Sequence, residues 1–235
     1  MKFTRVLLKL SGEALMEGTE QYSHGKLTAL AQVLAQVQLA GVQVGIVVGA
    51  GNIFRARSAN LEIVDRVTAD NVGMLGTVMN AAILRDYLRA EGLKAKVLSP
   101  REQRPLTSAF ARDTALSLLQ AGYVLIFAGG TGNPYFTTDS AASLRALEIS
   151  ADVLLKGTQV DGVYDRDPKR DPGARRYDSL TYAEVIAQRL QVMDLTAVTL
   201  CAEHGMPMFV FDISDPANLL KAVKGEQKGT WIAKE

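Results

Sequence analysis

A single cysteine, Cys201, stands in the 235 residues, so no internal disulfide can form and the chain suits a reducing compartment. Cys201 falls in the helical pattern Leu195 to Ala202, which predicts a buried packing role rather than a nucleophile. Histidine is nearly as scarce. His24 and His204 stand far apart with no paired carboxylate or cysteine motif, so neither a zinc site nor a Ser–His triad is supported. Net charge is only +1, which removes the general field that gathers nucleic acid or anionic lipid and leaves small anions, held by a local basic pocket, as the expected partners. No window approaches the ~20 apolar residues of a membrane span, and the opening apolar run is cut by Lys9. No membrane segment is predicted, and a cytoplasmic location is expected. Low-complexity tracts are missing too, while hydrophobic residues make up 48% and charged residues 22%, the balance of a folded globular chain.

What is present is a set of apolar strands that run into glycine. In Tyr123 to Ala142, YVLIFAGGTGNPYFTTDSAA, the run Val124 to Phe127 reads as a buried strand and meets Gly129, Gly130 and Gly132. Close glycines let main-chain N–H groups approach a bulky anion, and Asn133, Thr137 and Thr138 add neutral donors, so a phosphate is the expected guest. Thr138 also suits a helix N-cap and Asp139 a first helical turn, and an ordinary capped helix over Asp139 to Ile149 explains part of the same pattern.

Two other strand ends resemble this one. Thr4 to Leu10 is a strand that carries Lys9 before Ser11-Gly12; a lysine in such a run either reaches a phosphate or snorkels to solvent, and Gly12 favours the first. Val42 to Val48 empties into Gly49-Ala50-Gly51-Asn52, and Arg55 follows as a candidate bidentate phosphate contact. Neither familiar nucleotide loop fits. A P-loop ending in Gly25-Lys26 has Glu20 where its first glycine belongs and Leu27 in place of Ser/Thr, and a dinucleotide fingerprint has Phe54 at its third glycine.

Between these strands the pattern predicts helices over Lys26 to Ala40, Met74 to Ala90 and Arg112 to Gln120, with a further strand at Lys94 to Ser99. Leu75, Val78, Met79, Ala82 and Ile83 are the expected buried stripe of the second helix, with Asp70 ahead of it as a cap. Val153 to Leu155 is another strand, followed by an expected turn over Lys156 to Tyr164 and an exposed loop over Asp165 to Asp178. Thr181 to Glu184 is a capping box for a helix reaching about Gln191; Asp194 starts another, which ends near Gly205. Met208 to Ile213 is a strand, Pro216 opens a short helix, and Thr230 to Ile232 closes the sheet. Alternating strands and helices predict an α/β chain with a parallel sheet covered on both faces, which binds ligands at the carboxyl ends of its strands.

KLSGEAL at Lys9 to Leu15, VVGAGNIFR at Val47 to Arg55, GTGNPYFTTDSAA at Gly130 to Ala142, LLKGTQVDGVYDRDP at Leu154 to Pro168 and VMDLTA at Val192 to Ala197 together resemble the amino acid kinase superfamily. Within it they are most similar to the bacterial uridylate (UMP) kinases, and the match runs in order over nearly the whole chain. The resemblance implies a three-layer αβα sandwich around a mainly parallel sheet, a single domain over 1–235 with an acceptor side in 1–150 and an ATP side in 151–235, and phosphoryl transfer from MgATP to UMP. It implies Lys9, Arg55 and Asp139 as catalytic residues, with Asp139 orienting Lys9. Lys9, Leu10, Ser11, Gly12, Gly51 and Arg55 would face the ATP phosphates, and Thr158, Tyr164 and Asp167 the adenosine. Ala50, Asp70, Thr131, Gly132, Asn133, Pro134, Tyr135, Phe136, Thr137 and Thr138 would hold UMP, with Asp70 at the ribose hydroxyls. Asp194 matches an aspartate near the catalytic lysine.

The same resemblance implies Mg2+ carried with ATP rather than on a protein-held site, a homohexamer, and UTP as a feedback inhibitor. Two positions depart from the family pattern. Ala50 stands where glycine is frequent, and its methyl is expected to crowd UMP; Glu17 to Gly25 is less glycine-rich than the form seen where GTP activates, so GTP activation is not expected. Two other readings remain at this level: a kinase for an amino acid or carbamate, and a nucleotide-binding regulatory protein without turnover.

Overall fold

The computed structural model describes residues 1–54 and 62–234. In chain order the elements are β1 (Arg5–Leu10), a 3-10 turn over Gly12–Leu15, α1 (His24–Leu39), β2 (Gln43–Val48), α2 (Arg66–Ala90), β3 (Lys94–Ser99), β4 (Ser108–Ala109), α3 (Arg112–Gln120) and β5 (Tyr123–Phe127). They continue with α4 (Thr138–Glu148), β6 (Val153–Thr158), β7 (Val163–Tyr164), β8 (Arg176–Tyr177), β9 (Ser179–Thr181), α5 (Tyr182–Ala187), α6 (Leu195–His204), β10 (Met208–Asp212), α7 (Ala217–Lys224) and β11 (Thr230–Ala233). One nine-stranded sheet has the order β4-β3-β5-β2-β1-β6-β10-β11-β9, and β7 and β8 form a separate antiparallel pair. Among the described residues of the large sheet only β10 and β11 pair antiparallel. The central strands are apolar on both faces because helices cover both, as a parallel sheet requires.

Alternation along β1 sorts its side chains between two cores. Val6, Leu8 and Leu10 join the cluster that also contains Leu27, Leu34, Leu84 and Leu219 from α1, α2 and α7. Leu7 joins the opposite cluster, with Ala142 and Ala146 of α4 and Val198 and Cys201 of α6. Since strand side chains repeat every two residues, Lys9 falls on the face of Leu7, toward α4. The same rule acts on β6, where Val153 and Leu155 lie in the first cluster and Leu154 in the second, so Lys156 also falls on the α4 face.

The helices begin where short polar side chains satisfy the free N–H groups of a first turn. Ser23 caps α1, Thr137 caps α4, Asp194 caps α6, and Thr181 with Glu184 forms a reciprocal capping box on α5. Thr137 rather than Thr138 is the cap of α4, so Asp139 still lies in the first turn, one residue further in than expected. The α5 helix stops at Ala187, short of the expected Gln191.

Two larger differences from the sequence reading bear on the site. The α2 helix starts at Arg66 and is capped by Asp65, so Asp70 lies inside it rather than ahead of it. Of the stripe expected to be buried, only Val78 and Ala82 are, whereas Leu75 is 52% and Met79 49% exposed. The inner face is instead made of Gly76, Thr77, Asn80, Leu84 and Leu88. The strand β6 extends to Thr158 where a turn was expected, because Lys156, Gly157 and Thr158 pair in register with Val210, Phe211 and Asp212 of β10. Gly157 serves close packing there: a Cβ on it would lie 2.9 Å from the Cβ of Ile213. Among the described residues no helix is long and apolar enough to cross a membrane.

Candidate active site

Four neighbouring strands, β5, β2, β1 and β6, end along one rim of the sheet. The loops beyond them carry Gly129 to Thr138, Gly49 to Asn52, Ser11-Gly12 and Gln159 to Gly162. At the centre of the rim the α4 cap directs Asp139 at the two lysines that alternation turned toward it. Lys9 Nζ lies 2.5 Å from Asp139 Oδ1 and Lys156 Nζ 3.1 Å from Oδ2. Lys156 Nζ also donates a short hydrogen bond to Val192 O. Burial opposes ionisation of Asp139, but the ammoniums of Lys9 and Lys156 outweigh it and hold the carboxyl below its usual range. Burial likewise pushes Lys156 down from the usual lysine value, against the pull of Asp139 and with help from the charge of Lys9.

Asp194 stands behind this group. As the α6 cap it accepts from Ala197 N at 2.9 Å, and it accepts from Ser140 Oγ at 3.0 Å and from Thr137 Oγ1. Thr137 in turn accepts from Asp139 N at 3.0 Å, which ties the two helix starts together. Lys9, Thr137, Thr138, Asp139, Lys156 and Asp194 all line one cleft of about 1100 Å³ between α4, α5 and α6.

Beside it, the turn after β1 lies flat on the loop after β2. Gly49 N donates to Leu10 O at 2.9 Å, and a Cβ on Gly12 would overlap Asn52 Oδ1 and come within 2.8 Å of Gly49 O. Gly12 is therefore required by the approach of the two loops. Leu10 is fully buried, and its carbonyl is held by Gly49. Asn80 of α2, itself fully buried, holds the loop by donating to Gly49 O at 2.7 Å and to Asn52 Oδ1 at 2.7 Å. The Ala50 methyl is turned toward α2: a Cβ on Gly76 would lie 2.9 Å from it. The glycine on α2 thus takes up the methyl expected to crowd the site. Gly51 borders a smaller cleft with Glu13, Lys26, Asn52 and Gln159. Arg55 lies outside the described residues.

On the β5 side, Asp70 of α2 accepts from Tyr135 N at 2.8 Å and is paired with Arg66. Tyr135 sits at φ 69°, an uncommon conformation for a residue with a side chain, and Tyr135 and Phe136 are exposed. Thr131 Oγ1 accepts from Asn133 N at 3.2 Å and shapes the bend before Pro134. Gly129 N donates to Thr77 Oγ1 of α2 at 2.8 Å, and Gly129 and Gly132 line a cavity of about 230 Å³ with Asn71, Met74 and Ser99.

On the β6 side, Thr158, Tyr164 and Asp167 line a single cavity of about 700 Å³, which also reaches Lys156 and Val192. Tyr164 OH donates to Asp161 Oδ1 at 2.6 Å, a bond that raises the phenol pKa, and Arg176 pairs with Asp161 Oδ2 at 2.9 Å. Asp167 Oδ1 accepts from Lys169 N at 2.9 Å and closes a turn.

Lys156, Ser140 and Arg66 were not singled out from the sequence as site residues. For Lys156 a signal exists: the tetrapeptide Val-Leu-Leu-Lys occurs at Val6 to Lys9 and again at Val153 to Lys156, and the two copies pair residue for residue on adjacent strands. Among the described residues no cluster of three or more His, Cys, Asp or Glu side chains could hold a metal ion.

With this geometry established, comparison with known proteins gives a consistent result. The sequence model of the Amino acid kinase family matches residues 4–212. The uridylate kinase of Porphyromonas gingivalis (strain ATCC BAA-308 / W83) is 48% identical over 233 residues, covering 98% of this chain and 97% of that protein. That of Legionella pneumophila (strain Paris) is 49% identical over 234 residues, covering 99% and 94%. The crystal structure of UMP kinase from Bacillus anthracis superposes with a TM-score of 0.95 at 36% identity, covering 100% of this chain and 98% of that one.

Proposed function

The chain belongs to the amino acid kinase family, and on that premise we propose that it transfers the γ-phosphate of ATP to UMP, giving ADP and UDP, in pyrimidine nucleotide biosynthesis. The observation that carries this reading is the pair of lysines, Lys9 and Lys156, converging on Asp139 at the rim where the glycine loops meet. A transferring phosphoryl group spreads negative charge over its oxygens, and fixed cations in a partly dry cleft stabilise that charge more than they stabilise the ground state. Lys9 is the cation aimed at the transferring group, Asp139 holds it in place, Lys156 stands beside it on the neighbouring strand, and Arg55, three residues after Asn52 in the sequence, adds a further positive charge. The acceptor oxygen of UMP is already anionic at neutral pH, so in-line positioning replaces a general base.

ATP enters from the β6 side. Its phosphates lie over Lys9 to Gly12, Gly51 and Arg55, and its adenosine over Thr158, Tyr164 and Asp167; the cavity shared by the last three supports this direction. UMP enters from the β5 side against Ala50, Asp70 and Thr131 to Thr138. The UMP contacts fall in 1–150 and the adenosine contacts in 151–235, the basis of the division into an acceptor side and an ATP side, while the ATP phosphates reach across to the β1 and β2 strand ends. Mg2+ arrives on ATP, where it would screen phosphate charge. The carboxylates of Asp139 and Asp194 are engaged by lysines and hydroxyls, which suits an ion held mainly by phosphate and water oxygens.

The reading extends to a cytoplasmic homohexamer inhibited by its downstream nucleotide UTP. The exposed apolar row of Val72, Leu75, Met79 and Ile83 along α2 supports a contact between subunits. A coupled assay with UMP, CMP, dUMP, glutamate, aspartate and carbamate as acceptors tests the function. Preference for UMP is expected; turnover of an amino acid or carbamate, or ATP binding without turnover of any nucleotide, would overturn it.

A further inference from the structure

Asp70 is held by a residue that none of the site motifs contains. The Asp65 cap fixes the start of α2, so Arg66 and Asp70 lie four residues apart on one helix face. Arg66 Nε lies 2.9 Å from Asp70 Oδ1 and 2.8 Å from Oδ2, while Tyr135 N donates to Oδ2 at 2.8 Å. The guanidinium carbon also stands 5.6 Å from the Tyr135 ring centroid, so the arginine touches both sides of the contact between α2 and the β5 loop.

We propose that Arg66 is a positioning residue for acceptor recognition, which locks the Asp70 carboxylate and the Tyr135 backbone in the arrangement that reads the ribose hydroxyls of the acceptor nucleotide. This rests on the reading of Asp70 as the ribose contact. A carboxylate offers about four acceptor positions. Among the described residues Oδ2 takes two donors and Oδ1 shares only Arg66 Nε, so Oδ1 keeps capacity for a sugar hydroxyl and its direction is set by the arginine. The side chain of Arg66 is 47% exposed and that of Asp70 10%, so the cation of this i,i+4 pair is in solvent and contributes little to folding, and without it the Tyr135 N–H still donates to the carboxylate. Loss of Arg66 therefore leaves the fold in place and frees the carboxylate to turn.

The test compares Arg66→Ala and Arg66→Lys with wild type in the full chain, measuring kcat and KM for UMP and for dUMP, KM for ATP, and thermal melting. For Arg66→Ala the expected result is a rise of about tenfold in KM for UMP, near the loss of one hydrogen bond to a charged group. A smaller rise is expected for dUMP, so that the preference for UMP over dUMP narrows, while KM for ATP and melting stay near wild type. Arg66→Lys should recover part of the preference, since it restores the charge but not the Nε–H held between the two carboxylate oxygens. An equal change for UMP and dUMP, or none for either, overturns the role of Arg66 while leaving the kinase assignment standing. A wild-type protein that leaves UMP unphosphorylated overturns the functional reading and this role together.

Discussion

Lys9 and Lys156 face each other in register on neighbouring parallel strands and share the two oxygens of one carboxylate, Asp139. Two ammoniums this close are tolerable only because the aspartate lies between them, and all three side chains are largely buried, at 10%, 14% and 16% exposure. Asp139→Asn removes the counter-charge while keeping the shape. It should lower unfolding stability at neutral pH by about 3–5 kcal/mol, the usual cost of stranding buried charge, as measured by denaturant titration. The loss should shrink as pH rises and Lys156 gives up its proton. A constant loss across the alkaline range would show that charge is not the cause.

Lys9→Ala should leave stability nearly intact, because Asp139 keeps Lys156 as partner, but should lower kcat by about 10²–10³, equivalent to ~3–4 kcal/mol at the transition state. Steady-state kinetics with saturating ATP and UMP decides this. Near-normal turnover in a folded Lys9→Ala protein would remove the lysine from the mechanism.

The two shifted groups set opposite limits on pH. Asp139 has a folded pKa below its usual 3.8, so its contribution is present above that value and lost as pH falls through the lower, folded one. Lys156 has a folded pKa below lysine's usual 10.5. Between the folded value and 10.5 the unfolded chain binds more protons, so stability gains with rising pH there, while the cleft loses positive charge. Activity should therefore show an alkaline limb that begins below 10.5, and Lys156→Arg, which stays charged, should move that limb upward. A limb unchanged in Lys156→Arg would assign it to another group.

The sheet and most helix starts were legible because their signals are local. Apolar runs ending in glycine gave β1, β2 and β5, and the caps at Thr181 and Asp194 stand where side-chain chemistry requires them. The two differences that bear on the site are both tertiary. The helical period of Leu75, Met79 and Ile83 pointed to a buried face, but the inner face of α2 must approach the Ala50 loop closely and so uses Gly76 and Asn80. Gly157 reads as a turn because glycine is usually a breaker, yet here it is a strand residue thinned to admit Ile213. The partnership of Lys156 with Asp139 depends on strand register, visible in the sequence only as the repeated Val-Leu-Leu-Lys.

If the outer row of α2 is a subunit contact, a charge within it should break the assembly without unfolding the chain. Leu75→Glu and Met79→Glu replace side chains about half exposed in the isolated subunit, so their effect on a monomer's stability should stay within ~0.5 kcal/mol. Light scattering after size exclusion should show a smaller species for each. An unchanged molar mass in both would place the contact elsewhere.

The pairing of Ala50 with Gly76 gives a test of how the β2 loop is seated. Gly76→Ala puts a methyl 2.9 Å from that of Ala50, too close for both to remain in place. Overpacking of this kind costs about 1–3 kcal/mol, partly offset by the ~1 kcal/mol gained when alanine replaces glycine in a helix. Ala50→Gly removes the opposing methyl, so the double substitution should recover most of the loss, with a coupling of about 0.5–3 kcal/mol in the double-mutant cycle. Because the same loop packs against Gly12 through Gly49 and Asn52 and carries Gly51 to the cleft beside Glu13, Gly76→Ala should also weaken ATP binding, and the double variant should restore it. Strictly additive stabilities, or ATP affinity that follows neither substitution, would mean that α2 does not hold the loop through this contact.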